Sequence, residues 1–209
     1  MTPESLSAQY FENLYAHSED PWGFESRWYE QRKYALTMAA LPRARYRRAL
    51  EPGCSIGVLT EMLAHRCDEV IATDVVDTAL ARTRERMNRS AATSTVRCRR
   101  WAFGQGWRVE VFDLIVLSEV GYYLSADALG EALRECVEHL EPQGTLMCVH
   151  WQRSVPEYPL TGAQVHDIAR STSGLAHLGS YTDADLQIDI FTATTAAAPS
   201  VAEHDGLVP

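Results

Sequence analysis

Glu119, Tyr122 and His150 are the side chains best placed for proton chemistry in this 209-residue chain. Glu119 follows the apolar run Phe112-Asp113-Leu114-Ile115-Val116-Leu117, and His150 follows a second apolar run, Thr145 to Val149. Each therefore stands just past a predicted strand, where open α/β sheets bind their ligands. A carboxylate or an imidazole at such a point can orient an amine and take the proton that the amine sheds after acting as a nucleophile. Tyr122 can orient the carboxylate or box a developing cation with its ring face. Each residue also has a plainer reading: Glu119 as a cap of the turn after its strand, Tyr122 or Tyr123 as core packing, His150 as a structural hydrogen-bonder.

A second cluster has the form of a ligand grip. The predicted strand Arg47 to Glu51 ends in an acid and runs into Pro52-Gly53-Cys54-Ser55-Ile56-Gly57, after which helical spacing begins at Val58. A glycine-bearing turn between strand and helix lets backbone amides approach a nucleotide closely. The dinucleotide pattern G-x-G-x-x-G and the phosphate loop G-x-x-x-x-G-K-[ST] are both absent. Glu51 ahead of the turn suits a positively charged ligand better than a pyrophosphate, and the sulfonium and ammonium groups of S-adenosylmethionine fit that requirement. Asp74 ends the next predicted strand, Glu69 to Thr73, where a carboxylate can accept hydrogen bonds from both ribose hydroxyls. Its alternative role is to cap the following helix, a duty that Asp77 could also perform.

The elements that carry these residues alternate. Apolar positions Leu6, Tyr10, Phe11, Leu14 and Tyr15 predict a helix over 3–18, capped by Thr2 or Ser5, and Asp20-Pro21-Trp22-Gly23-Phe24 breaks it. A second helix is expected over 25–41, with Trp28, Tyr29, Tyr34, Met38 and Leu41 available for burial. From Arg47 onward strands at 47–51, 69–73, 96–100, 112–117 and 145–149 alternate with helices at 58–65, 78–88 and 126–140, which is the spacing of a parallel sheet with crossover helices. Residues 151–179 read as a substrate-covering insertion with a short helix at 164–171, and 176–181 and 186–192 as an antiparallel edge hairpin. The expectation is one domain over 1–192, with 1–42 as a helical lid, 47–192 as the core and 193–209 as a disordered tail.

The formal charge of −9 argues against nucleic acid as a partner, and the acidic surface favours a small-molecule substrate. Lys33 is the only lysine among 19 basic residues, and Arg43, Arg45, Arg47 and Arg48 read as a solvated face. Five cysteines without a C-x-x-C spacing suggest reduced thiols in a cytoplasmic protein, and neither a signal peptide nor a membrane span is expected. No metal site is expected, because His65 and Cys67 lack further ligands at usable spacing.

Glu51-Pro-Gly-Cys-Ser-Ile-Gly-Val-Leu-Thr, Ala72-Thr-Asp-Val and Phe112-Asp-Leu-Ile-Val-Leu-Ser-Glu-Val-Gly-Tyr-Tyr-Leu together resemble class I S-adenosylmethionine-dependent methyltransferases. Among these, Ser118-Glu-Val-Gly-Tyr-Tyr-Leu, Asp20-Pro-Trp-Gly-Phe and Trp28-Tyr-Glu-Gln-Arg-Lys-Tyr are similar to the nodulation-protein S N-methyltransferases. The resemblance implies a Rossmann-like, mostly parallel seven-stranded α/β sheet with an antiparallel edge hairpin and an N-terminal helical lid. It also implies cofactor contacts from Glu51, Gly53, Cys54, Ser55, Gly57 and Asp74, lid contacts near Trp22, Tyr29 and Lys33, and a rim built on Ser118 to Tyr123. The acid that many class I members carry after the third strand is missing from Arg99-Arg100-Trp101-Ala102-Phe103, leaving adenine to backbone groups and to Trp101 or Phe103. The expected activity is methyl transfer to a small polar acceptor, with an amino group on a sugar or oligosaccharide as first choice. O-methylation of another metabolite, a non-catalytic binding module and a nicotinamide-dependent oxidoreductase are the alternatives, the last disfavoured by the absent fingerprint.

Overall fold

The computed structural model describes residues 4–107, 110–194 and 199–208. Two helices, α1 (Ala8–His17) and α2 (Trp28–Ala40), precede a βα series: β1 (Tyr46–Pro52), α3 (Val58–Ala64), β2 (Cys67–Asp74), α4 (Asp77–Arg89), β3 (Thr95–Arg100) and β4 (Phe112–Ser118). A 3-10 turn (Gly121–Tyr123) leads into α5 (Ala126–His139), β5 (Leu140–Trp151), α6 (Gly162–Ser171), β6 (Leu175–Thr182), β7 (Leu186–Ala193) and a short α7 (Val201–His204).

The seven strands form one sheet in the order β3-β2-β1-β4-β5-β7-β6, parallel except for β7, which runs antiparallel to both neighbours. This is the class I methyltransferase topology. The order reverses between β1 and β4, so the loops leaving those strands diverge and open a crevice at their carboxyl ends. Glu51 and Glu119 leave the sheet on either side of it.

Alternation along the central strands assigns each face. Leu114 and Val116 of β4 pack with Ala49, Val70, Met147 and Val149 beneath α2 and α3, through Tyr34, Leu59 and Leu63. Ile115 and Leu117 pack with Leu50, Ile71, Leu146 and Cys148 on the opposite face, beneath Leu129, Leu133 and Val165 of α5 and α6. Residues Leu114 to Leu117 are all fully buried, because the sheet is covered on both sides. At the start of β4 the buried Asp113 carboxylate accepts the backbone N–H groups of Arg47 and Arg48, fixing β1 beside β4.

Several boundaries depart from expectation. The first helix forms only over Ala8–His17; positions 1–3, with the proposed Thr2 cap, lie outside the described residues, and Ser5 instead accepts the N–H of Ser125. Trp28 is 73% exposed rather than buried, because it starts α2 on the face away from the sheet. β5 begins at Leu140, and the expected turn at Pro142–Gly144 is a bulge between the pairs Phe112–Leu140 and Leu114–Thr145. The stretch read as an insertion divides: 152–161 is a loop, whereas Val165 and Ala169 of α6 are core. Of the tail expected to lack order, 195–198 and 209 lie outside the described residues, and α7 is a single turn closed by a Ser200–Glu203 capping box. Among the described residues no helix is long and apolar enough to cross a membrane.

Candidate active site

A cavity of about 500 Å³ fills the crevice, within the size range of ligand pockets. One wall is the turn after β1. Gly53, Ser55 and Gly57 all have left-handed φ, at 69°, 51° and 79°. Left-handed geometry at Ser55 costs energy and is held by its surroundings: its N–H donates to Asp74 Oδ2 at 2.9 Å, and Thr83 Oγ1 donates to its carbonyl at 2.7 Å. Asp74 Oδ1 accepts the Val76 N–H at 2.9 Å, so backbone amides pin both carboxylate oxygens at the cavity edge. Burial raises the Asp74 pKa, and the amides of Val76 and Ser55 oppose that rise.

Glu51 is 3% exposed, and its Oε2 accepts the Thr60 hydroxyl at 2.5 Å. Burial pushes its pKa up to about 8. In the free protein the cavity thus holds a neutral acid that a cation would convert to a carboxylate. Cys54 also lines the wall, with its thiol pushed up by burial. Gly57 does not: it faces Thr83 of α4, and a Cβ there would lie 2.8 Å from Thr83 Cγ2. Its lack of a side chain lets α3 pack closely on α4.

The opposite wall follows β4. Ser118 and Glu119 line the cavity, and Glu119 has a left-handed φ of 58°. Its N–H bonds the carbonyl of Val149 at 2.9 Å, which turns the carboxylate back into the crevice. Oε1 lies 3.1 Å from Lys33 Nζ, and Oε2 accepts the Trp151 N–H at 3.3 Å and a short hydrogen bond from the Tyr122 hydroxyl. Burial and the nearby Glu119 raise the Tyr122 pKa well above the usual phenol range, so Tyr122 remains a donor. Lys33, 1% exposed, also meets Glu30 Oε2 at 2.7 Å, a charge contact rather than an aligned hydrogen bond. Its ammonium is ringed by Phe24, Tyr29 and Tyr34 at 5.5, 5.8 and 5.0 Å from their centroids.

The N-terminal helices close the cavity from outside. Trp22 stacks on Phe24 at 5.5 Å, Tyr29 meets Trp151 edge-on at 4.8 Å, and both line the cavity. The Tyr15 hydroxyl makes a short hydrogen bond to Ser55 Oγ, tying α1 to the turn. Trp101, Ala102, Phe103, Gly104 and Gln105 close one end after β3. Arg99 and Arg100 are engaged with Glu110, and with Asp77 and Glu12, leaving this end aromatic and amide-lined. Tyr122 and Tyr158 stack at 4.9 Å at the other end, with Tyr123 edge-on to both.

His150, expected as a proton acceptor or a structural hydrogen-bonder, sits behind the cavity wall rather than on it. It is fully buried and absent from the cavity wall. Its Nε2 accepts the Gly121 N–H at 3.1 Å, and its Nδ1 lies 3.2 Å from His166 Nε2. The site also contains residues not singled out from the sequence: Tyr15, Glu30 and Tyr158. Glu30 could have been found from its i,i+3 spacing to Lys33, whereas Tyr15 and Tyr158 carry no local signal.

The sequence model of nodulation protein S matches residues 9–155. Nodulation protein S of Bradyrhizobium diazoefficiens is 37% identical over 131 residues, covering 62% of this chain and 61% of that protein. The chain spans about three fifths of the length of the curated relatives it matches. The crystal structure of N-methyltransferase NodS from Bradyrhizobium japonicum in complex with S-adenosyl-L-homocysteine is similar, with TM-score 0.76 and 25% identity, over 89% of this chain and 97% of that one. A candidate methyltransferase structure from Pseudomonas syringae is 37% identical with TM-score 0.67, over 79% and 99%.

Proposed function

The chain belongs to the nodulation protein S family, and from that footing we propose that it transfers the methyl group of S-adenosylmethionine to the amino group of a small acceptor, an amino sugar or an amino-bearing oligosaccharide. The observation that carries this reading is a single cavity with a buried, protonatable Glu51 and a pinned Asp74 on one wall and the Glu119–Tyr122 pair on the other. Those residues fit the cofactor: Glu51 can ionise against a cationic ligand, Asp74 offers oxygens to a ribose, and Trp101 and Phe103 offer ring surface to a purine.

Bound S-adenosylmethionine would supply a methyl group on a positively charged sulfur, already a good leaving group. The chain's own work is then alignment and proton handling. Glu119 can hold an acceptor amine through a carboxylate oxygen and take its proton, while Tyr122 and the Trp151 N–H fix that carboxylate. Lys33 offsets the charge of Glu119 and Glu30. Tyr29, Trp151 and the lid helices exclude water from the cavity, and Tyr122, Tyr123 and Tyr158 present aromatic faces of the kind on which sugar rings pack.

Glucosamine and its β-1,4-linked oligomers, incubated with S-adenosylmethionine and analysed by mass spectrometry, test the acceptor. Methylation of the free-amine oligomers with none of their N-acetyl counterparts is expected. Transfer only to hydroxyl groups, or cofactor binding without transfer to any amine, would overturn the assignment.

A further inference from the structure

Behind the 3-10 turn runs a chain of hydrogen bonds that the chemistry above does not use. Asp189, on β7 and fully buried, accepts from His166 Nδ1 at 2.5 Å. Gln187 Nε2, Arg170 and His177 also bond its oxygens, at 3.0, 2.8 and 2.9 Å. His166 of α6 is fully buried and reaches His150 of β5, which reaches the backbone of Gly121.

The donors can be ordered by chemistry alone. The Gly121 amide can only donate, so His150 Nε2 carries no proton. The His150 proton is therefore on Nδ1 and donates to His166 Nε2. His166 must then carry its own proton on Nδ1, where it donates to Asp189. One backbone amide and one carboxylate fix both tautomers. The surroundings agree: burial, followed by neighbouring His166 and Lys33, lowers the His150 pKa well below the usual imidazole range, with Asp189 opposing, so the ring stays neutral. The other groups facing it are the Tyr122 ring, edge-on at 5.3 Å from the 3-10 turn, and Glu119, which takes the N–H of adjacent Trp151.

The end of this chain is well placed to matter. Gly121 has no room for a side chain, since a Cβ would lie 2.6 Å from Val165 Cγ1 and 3.1 Å from His150 Nε2. The turn is thus pressed against α6 and β5; the Gly121 N–H ties its first residue to β5, while the N–H groups of Leu160 and Leu6 bond the carbonyls of Tyr122 and Tyr123, and Tyr122 is the partner of Glu119. We propose that Asp189, His166 and His150 form a one-way hydrogen-bond chain that seats the Gly121–Tyr123 turn and so fixes the Glu119–Tyr122 pair, making His150 and His166 positioning residues for methyl transfer. This rests on the proposed methyltransferase reading for its kinetic consequence only.

The test uses the full chain, labelled with nitrogen-15 histidine and saturated with S-adenosylhomocysteine at neutral pH. Both buried rings are expected to carry a single proton on Nδ1; a proton on Nε2 of either ring, or a doubly protonated ring, would overturn the chain. Two variants then separate positioning from folding. His166→Gln can still accept from His150 and donate to Asp189, and should keep turnover of a glucosamine tetramer within about threefold of wild type. His166→Leu can do neither, and should lower kcat by about tenfold, no more than Tyr122→Phe does, with KM and S-adenosylhomocysteine affinity within about threefold. Unchanged kcat in the Leu variant, or an equal loss in the Gln variant, contradicts the proposal. Should His166→Leu fail to fold, the Gln variant and the tautomers decide. If the wild type methylates no amine, the acceptor reading fails by itself, and hydrogen exchange at the Gly121 amide still decides the inference: slow in wild type and His166→Gln, with fast exchange in wild type overturning it.

Discussion

Lys33 and Glu119, 86 positions apart in the chain, meet at 3.1 Å with both side chains largely out of water. The pair joins the lid helix α2 to the loop after β4, and Glu30 makes it a triad. Removing one partner of a buried ion pair leaves a desolvated charge uncompensated. Lys33→Met should therefore lower unfolding stability by about 3 kcal/mol, measured by denaturant titration. Adding Glu119→Gln should recover part of that loss. Additive effects of the two changes would show that the pair is not coupled.

Glu119→Gln and Tyr122→Phe separate chemistry from binding. Both should leave S-adenosylhomocysteine affinity within about threefold of wild type, because neither residue belongs to the Glu51–Asp74 wall. Glu119→Gln should reduce turnover by about 100-fold, and Tyr122→Phe by less, since Trp151 still holds the carboxylate. Full turnover in Glu119→Gln, followed by methyl transfer to a glucosamine oligomer, would reduce Glu119 to a turn-forming residue.

The parallel βα series and the doubly buried run at 112–117 were legible in the sequence, whereas the strand order was not, because alternation along a strand separates its two faces and says nothing of which strands are neighbours. The same rule explains why His150 was open to two readings. By parity it falls with Leu146 and Cys148, on the face covered by α5 and α6, yet nothing near it in sequence says that His166 covers it. Lys33 was legible only through resemblance to a family, and its pairing with Glu119 not at all, because the contact spans most of the first half of the chain. The packing of Gly57 on Thr83 was not legible, because a left-handed turn serves helix packing as well as ligand approach and the sequence does not place α4 beside it.

Glu51 makes stability and binding depend on pH in opposite directions. Its folded pKa, about 8, lies above the ordinary carboxylate range, so the native state binds a proton that the unfolded chain has released. Stability from this group is therefore fully present below the ordinary carboxylate range and is lost as pH rises toward 8, by up to about 1.4 kcal/mol per pH unit. Glu51→Gln should flatten that slope and raise the Tm at pH near 8. A cationic ligand favours the ionised form, so S-adenosylmethionine affinity should rise with pH over the same range, with proton release visible in calorimetry across buffers of different ionisation enthalpy. An identical pH slope of stability in wild type and Glu51→Gln would contradict this.

Tyr15 joins α1 to the turn after β1 through Ser55. Tyr15→Phe keeps the ring against Trp22 and removes only the hydroxyl. It should weaken S-adenosylhomocysteine binding by about fivefold, corresponding to one lost hydrogen bond, and the change should appear in the dissociation rate. An unchanged dissociation rate in stopped-flow fluorescence would show that the latch does not guard the cavity.

Titration calorimetry with S-adenosylhomocysteine, on wild type, Asp74→Ala and the milder Asp74→Asn, bears most directly on the cavity as a cofactor site. Wild type should bind one molecule per chain with a Kd in the micromolar range, and Asp74→Ala should weaken it by at least about tenfold while remaining folded. No binding by wild type, or wild-type affinity in both Asp74 variants, would contradict the assignment.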